Sequence, residues 1–327
     1  MKFNKRLIAG LLSTLAINAT INAGEITLYT SQPQKQMVKV IKLFNEKYPD
    51  IKVNVYRDGT TKVLNKLQAE IAADSPRPDV LMIADSVAMD SLKRQGVLQP
   101  YKNAPVKDFD PDQYDKDMYY FGTKLITTGI IYNTKAGVPA PKSWNDLLSK
   151  AAKNQVIMPS PLYSGAAVIH VGTLTEQPEF GWSYYEKLAK NGAVAGKGNG
   201  SVRNAVARGQ KAYGIIIDYM AIGAKKKGSP VDFVFPKEGV TSINQPLAIL
   251  KTAKNVKDAR KFIDFQLSKD AQLQSVSQNY IPLMKSVKAP EAYGDLSKLK
   301  VMKADPKVVS KKIEENKKKF AKLFGGA

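Results

Sequence analysis

Four stretches of the chain place small hydroxyl residues or glycines where a strand pattern gives way to a helix pattern. They are Tyr29-Thr30-Ser31-Gln32, Asp58-Gly59-Thr60-Thr61, the run Pro159-Ser160-Pro161-Leu162-Tyr163-Ser164-Gly165-Ala166-Ala167, and Gly198-Asn199-Gly200-Ser201-Val202-Arg203. The first N–H groups of a helix lack partners within it, and the helix dipole adds about half a positive charge there. A hydroxyl at such a start therefore suits an anion. Ordinary capping uses the same residues and is the competing explanation. At the third stretch Gly165 permits close backbone approach, which favours a ligand. Arg203 in the fourth has the fork geometry for a phosphate or carboxylate, or serves as plain surface charge. That stretch is not a Walker loop, because no Gly-Lys-Ser/Thr follows its glycines. Three acids, Asp85, Asp218 and Glu238, follow apolar strand runs. They could accept from ligand hydroxyls or an ammonium, or pair with one of the 50 Lys and Arg residues.

Catalysis finds little to work with. The 327 residues include no Cys and a single histidine, His170. Disulfides, thiolate metal sites, a Cys nucleophile and iron–sulfur clusters are excluded. His170 sits between Ile169 and Val171 with no partner motif, and reads as a packed histidine. No HExxH or GxSxG is present. A phosphoester hydrolase remains the competitor from another class; it needs a base and usually metals. No cofactor is expected. The formal net charge of +21 raises nucleic acid as a partner. The charge, however, lies on Lys-rich stretches such as 225–227 and 307–322 rather than in an aromatic-interleaved stripe. No nucleic-acid partner is expected, and the surface reads as solvated.

Stepping outward, residues 1–23 have a basic head, an apolar core at 7–17 too short to span a bilayer, and small residues before position 24. They read as a cleaved signal peptide, with the mature chain in a periplasm. Strand and helix signals then alternate. Strands are expected at 26–30, 51–55 and 79–83, with helices on Met37, Val40, Ile41 and Phe44, on Val63, Leu64, Leu67 and Ile71, and over 86–94. A second cycle follows, with strands at 125–132, 155–158, 212–217, 232–235 and 246–250. Its helices open at Ser143 and run over 166–174, 201–208 and 256–267. A Lys-rich helix closes the chain. The expected class is α/β with two lobes, each a mostly parallel sheet flanked by helices, joined by hinge strands near 125–132 and 244–250. Lobe 1 takes 24–125 and 247–300, lobe 2 takes 126–246, and 301–327 is the C-terminal helix. Ligands in such sheets sit beyond the carboxyl ends of strands, so the cleft between lobes is the expected site.

The chain resembles bacterial ABC-importer solute-binding proteins, in the cluster that binds ferric ion, phosphonates and sugar phosphates and has the type II periplasmic-binding-protein fold. The likeness rests on Phe44-Asn-Glu-Lys-Tyr-Pro-Asp-Ile-Lys-Val-Asn-Val55, Arg77-Pro-Asp-Val-Leu-Met82, Pro141-Lys-Ser-Trp-Asn-Asp-Leu147, the 160–167 run, and Ala259-Arg-Lys-Phe-Ile-Asp-Phe265. It implies a monomer that captures a small anionic solute by lobe closure and docks on an inner-membrane permease. The ferric members use two adjacent tyrosines. Here the matching stretch is Asp218-Tyr219-Met220, with only Tyr219 available, so iron(III) is the alternative ligand. The 160–167 run is more similar to members holding phosphorylated solutes, a hexose phosphate or an aminoalkylphosphonate. By that likeness Ser31, Thr60, Thr61, Ser164, Gly165 and Ala166 hold phosphate oxygens. Asp218 and Glu238 take hydroxyls or the amine. Asp85, Ser160, Ser201, Arg203 and Tyr219 complete the candidate set.

Overall fold

The computed structural model describes residues 24–325. The signal-peptide expectation lies outside those residues. The first sheet begins with β1 (Gly24–Thr30), followed by α1 (Gln34–Lys47), β2 (Ile51–Arg57), α2 (Thr60–Ala72), β3 (Val80–Met82), α3 (Ser86–Arg94), β4 (Leu98–Gln99) and β5 (Tyr120–Gly122). The chain then crosses into a second sheet. It runs through β6 (Ile126–Asn133), β7 (Val156–Pro159), α4 (Gly165–Thr175), α5 (Gly181–Lys190), β8 (Val194–Gly196), α6 (Asn199–Ala207), β9 (Tyr213–Ile217), α7 (Asp218–Lys226), β10 (Val231–Val234) and β11 (Thr241–Ile243). It returns with β12 (Pro246–Leu250), α8 (Val256–Gln266) and α9 (Lys269–Ser277), and ends in α10 (Pro306–Phe324).

The sheet orders are β2-β1-β3-β12-β4 with β5 beside β12, and β10-β6-β9-β7-β8 with β11 beside β6. Both sheets are mixed. The strands linked by helical crossovers, β1 to β3 and β7 to β9, pair in parallel. The hinge-borne strands β12 and β6 pair antiparallel with their neighbours. A strand that enters from the other lobe arrives without a crossover helix, so nothing obliges it to run parallel.

Each sheet is buried on both faces. In β1, Ile26 and Leu28 join Met37 and Phe44 of α1 and Phe262 of α8, while Tyr29 joins Val63 and Leu67 of α2 on the opposite side. That two-sided burial follows from the alternation of side chains along a strand. The second sheet has Val202 and Val206 of α6 on one face. Trp144, Leu174, Tyr184, Tyr185 and Phe320 pack on the other. Helix α4 is buried from Gly165 to Leu174, which explains its all-round apolar sequence. The helix expected from Ser143 is a single 3-10 turn, Trp144–Leu148. The third passage between lobes comes before residue 300: Tyr293 and Leu296 already pack with Ile222 and Phe235 of the second lobe. No helix among the described residues is long and apolar enough to cross a membrane.

Candidate functional site

Three helices begin at one cleft between the sheets. Gly59 precedes α2, Ser164 precedes α4, and Gly198 precedes α6. The cleft has a volume of about 550 Å³. Ser31, Thr60, Ser164, Ala166, Ser201 and Tyr219, all expected from the sequence, line it. The Ser31 hydroxyl accepts from Ala84 N at 3.0 Å, fixing the β1 end against the β3 end. Ser164 Oγ accepts from Ala167 N at 3.3 Å as a helix cap, and from Asn199 Nδ2 at 3.1 Å. Asn199 Oδ1 in turn accepts from Ile217 N at 3.1 Å. The starts of α4 and α6 are thus tied to the end of β9. Three cations, Arg57, Lys62 and Lys197, stand at the lining against one carboxylate, Asp58. Arg57 donates to the backbone oxygens of Gln32 at 3.2 Å and Ser31 at 3.4 Å. Neither Arg57 nor Lys197 has an ion-pair partner among the described residues.

The lobes touch across this cleft. A Cβ on Gly59 would fall 2.8 Å from Tyr163 O, and one on Gly165 would fall 2.5 Å from Ala84 O. Both pairs join opposite lobes. The cleft is therefore in a closed arrangement, and these two glycines allow it.

Several expected residues do not face the cleft. Asp218 is fully buried behind the start of α7. Its carboxylate accepts from Thr127 N (2.9 Å), Thr127 Oγ1 (2.7 Å) and Tyr219 N (2.6 Å), and burial pushes its pKa up to about 7. Glu238 accepts from the Ser143 hydroxyl and from Trp144 N, closing the 3-10 turn. Asp85 caps α3 by accepting from Ala88 N at 2.9 Å, and burial pushes it up to about 6. With Thr61 it faces a separate hollow beside α10. Ser160 is fully buried, accepting from Leu162 N at 3.2 Å. Arg203 bends onto Asn204 Oδ1 at 2.9 Å. Gly165 serves the lobe contact rather than the lining. One cause covers the three acids. A carboxylate next to unpaired backbone N–H groups or a hydroxyl satisfies them itself and is then spent.

Sequence reasoning missed Arg57, Lys62, Lys197, Gln245 and Tyr280, and gave Gln32, inside the first of the four stretches, no role of its own. Arg57 ends β2, so the strand-end rule applied without discounting charge would have found it. Gln245 lies in the hinge, 1% exposed, with its Oε1 lacking any partner. Tyr280 stacks on Tyr219 with centroids 4.1 Å apart, and its hydroxyl donates to Gln36 Oε1 at 2.6 Å. Both phenols are pushed up by burial, that of Tyr219 to about 12. His170 is buried against Trp144 with Nδ1 3.2 Å from Thr241 Oγ1, and burial holds it down to about 3. It is a packed histidine. No group of three or more His, Asp or Glu side chains among the described residues is placed to hold a metal ion.

Two α/β lobes closing helix starts over a basic cleft make a site suited to holding a solute. The model of the bacterial extracellular solute-binding protein family matches residues 30–273, and the chain belongs to that family. Its work is to hold a solute, without chemistry on it. Among relatives, the spermidine/putrescine-binding periplasmic protein of Escherichia coli is 27% identical over 59% of this chain and 60% of its own length. Among solved structures, the periplasmic binding protein AfuA from Actinobacillus pleuropneumoniae, with fructose-6-phosphate bound, superposes with a TM-score of 0.83. It has 24% identity, over 93% of this chain and 99% of that one. A ferric binding protein from Campylobacter jejuni gives a TM-score of 0.78 at 21% identity, over 91% and 99%. Both structures share the type II periplasmic-binding fold with this chain. A polyamine, a sugar phosphate and ferric ion are three different chemistries, so choice among them falls to the cleft.

Proposed function

We propose that the chain is the periplasmic substrate-binding component of an ABC importer, a monomer that closes its lobes over a small phosphorylated solute and hands it to the membrane permease. The observation that carries this reading is the meeting of the α2, α4 and α6 starts with the unpaired Arg57 and Lys197 in one cleft holding a single carboxylate. A dianionic phosphate placed there gains N–H donors and charge-assisted bonds. Ser31, Thr60, Ser164 and Ser201 add hydroxyls, and Gln245 adds an unpartnered acceptor for a sugar hydroxyl.

Within the phosphorylated class a hexose phosphate is favoured over an aminoalkylphosphonate. Asp218 and Glu238, the acids that would take the amine, are engaged elsewhere. The same balance of charge disfavours a polyamine. For ferric ion the cleft offers the phenols of Tyr163, Tyr219 and Tyr280 and the Asp58 carboxylate, but burial pushes the Tyr219 phenol up to about 12 and the Tyr280 phenol well above its ordinary value, which opposes tyrosinate formation. Titration calorimetry with fructose 6-phosphate, 2-aminoethylphosphonate, putrescine and ferric citrate tests the reading. Tight binding of the hexose phosphate alone is expected. Heat from ferric citrate or putrescine, with none from either phosphorus compound, overturns it.

A further inference from the structure

Below the cleft, where the chain leaves β5 for β6, Lys124 is 1% exposed. Its ammonium donates to Gln32 Oε1 at 2.9 Å and lies 4.7 Å from the centroid of the Tyr280 ring. Gln32 and Tyr280 both line the cleft. The hydrogen-bonded side chains around this pair are neutral amides and a phenol. Gln278 accepts from Gln32 Nε2, Gln36 accepts from Tyr280, and Gln272 donates to Thr123 O beside it. The ionisable groups facing it are phenols: Tyr280 directly, and Tyr219 stacked on Tyr280. Asp218 lies beyond them, saturated by Thr127 and Tyr219 N, and Arg57 and Asp58 stand at the cleft. Lys124 has no ion-pair partner among the described residues.

An ammonium has three protons to donate, and burying one with a single neutral acceptor and no counter-ion is costly. The chain tolerates that cost directly beneath its binding cleft. We propose that Lys124 is a specificity-determining residue, the buried counter-charge of the bound anion, which makes the tyrosine side of the cleft electropositive and favours anionic solutes over cations. The inference rests on the anion-receptor reading above. In the low-dielectric hinge the charge acts over several ångströms with little screening. It repels a polyamine or a ferric ion at Tyr219 by the same means.

A pH signature follows. Desolvation holds Lys124 down to about 7, so in the empty protein it is largely neutral a little above neutrality. An anion overhead favours the charged form, so binding takes up a proton, and affinity falls as pH rises. A phosphoester's second ionisation, near about 6, is complete before that window.

The test is titration calorimetry of fructose 6-phosphate with the mature chain and two variants. Lys124→Gln keeps a donor for Gln32 without the charge, and Lys124→Met keeps the volume. Both variants are expected to bind about tenfold or more weakly, on the scale of a lost charge-assisted interaction. The unsubstituted chain is expected to lose about tenfold in affinity between about pH 7.5 and about pH 9, with the variants flat. Below about pH 7, where Lys124 carries its charge in the empty protein, thermal midpoints of the empty variants are expected to be no lower, since an unpaired buried charge has been removed. Unchanged affinity and pH profile in the variants overturn the role of Lys124 alone. So does a fall in thermal midpoint of both variants, which marks a structural lysine. An unsubstituted chain that takes neither fructose 6-phosphate nor inorganic phosphate overturns the anion reading, and this inference with it.

Discussion

Arg57 and Lys197 are the side chains on which the anion reading is most exposed to test. Neither has a carboxylate partner; Arg57, held by its bonds to Gln32 O and Ser31 O, keeps its remaining N–H groups for a ligand, and Lys197 keeps its ammonium. Replacing Arg57 by Gln should weaken fructose 6-phosphate binding by about tenfold or more, and Lys197→Gln somewhat less, because a guanidinium bonds phosphate through two parallel N–H groups. Equilibrium titration of the two variants against the parent checks this; equal affinity in all three removes both from the site. His170 supports a different prediction. Burial holds its pKa down to about 3, so the native state stays neutral where the unfolded chain takes a proton below about 6.5. Since the unfolded state binds more protons there, this group withdraws stability as pH falls from about 6.5 toward 3. The chain has a single imidazole. Its ring C–H resonance should stay in place from about pH 8 to about pH 5, and a shift with a midpoint near the free value would contradict the packing described.

At the scale of elements, the helix starts carry the site and Gly165 lets them meet. A Cβ at this position would stand 2.5 Å from Ala84 O and 2.7 Å from Thr60 Cγ2, both on the other lobe. Backbone cannot yield as a flexible side chain can, so Gly165→Ala should open the cleft rather than unfold the chain. The expected outcome is weaker fructose 6-phosphate binding with an unchanged thermal midpoint for the empty protein. Small-angle scattering should show ligand-induced compaction in the parent and little in the variant. A variant that binds and compacts normally would show that the lobes close along another path. The elements were legible in proportion to how local their cause is. Helices α1 and α2 show their buried faces through 3.6-residue spacing, and α4 through an unbroken apolar run. The turn at Trp144–Leu148 announced its start through Ser143, but the carboxylate that holds that start, Glu238, lies 95 positions away. For the same reason half of the site was invisible. Gln245 and Tyr280 are ordinary residues in their own neighbourhoods and reach the cleft only because the hinge brings them there. The acids Asp85, Asp218 and Glu238 were conspicuous at strand ends, yet their backbone and hydroxyl partners consume them.

Across the whole molecule, α10 is built into the second lobe and meets the first only at its edge. It drives Val309 and Phe320 into the two cores of the second lobe, where Phe320 is fully buried beside Tyr185. Its exposed side carries an ion pair from Lys312 to Glu176 at 2.8 Å. Toward the first lobe, Ser310 accepts from Arg94 of α3 at 3.4 Å, and Lys317 shares a hollow with Asp85. The apolar contacts outweigh the surface pairs, since an exposed ion pair contributes about 1 kcal/mol or less. Phe320→Ala should therefore cost about 3–5 kcal/mol, the usual range for emptying a buried aromatic site. Lys312→Ala should change stability by under about 1 kcal/mol. Urea unfolding followed by tryptophan fluorescence reads both, because Trp144 and Trp182 pack in the same cluster as Phe320. If the alanine at 320 costs no more than the alanine at 312, the helix is a surface appendage. The basic sequence that makes it look like one would then describe it correctly.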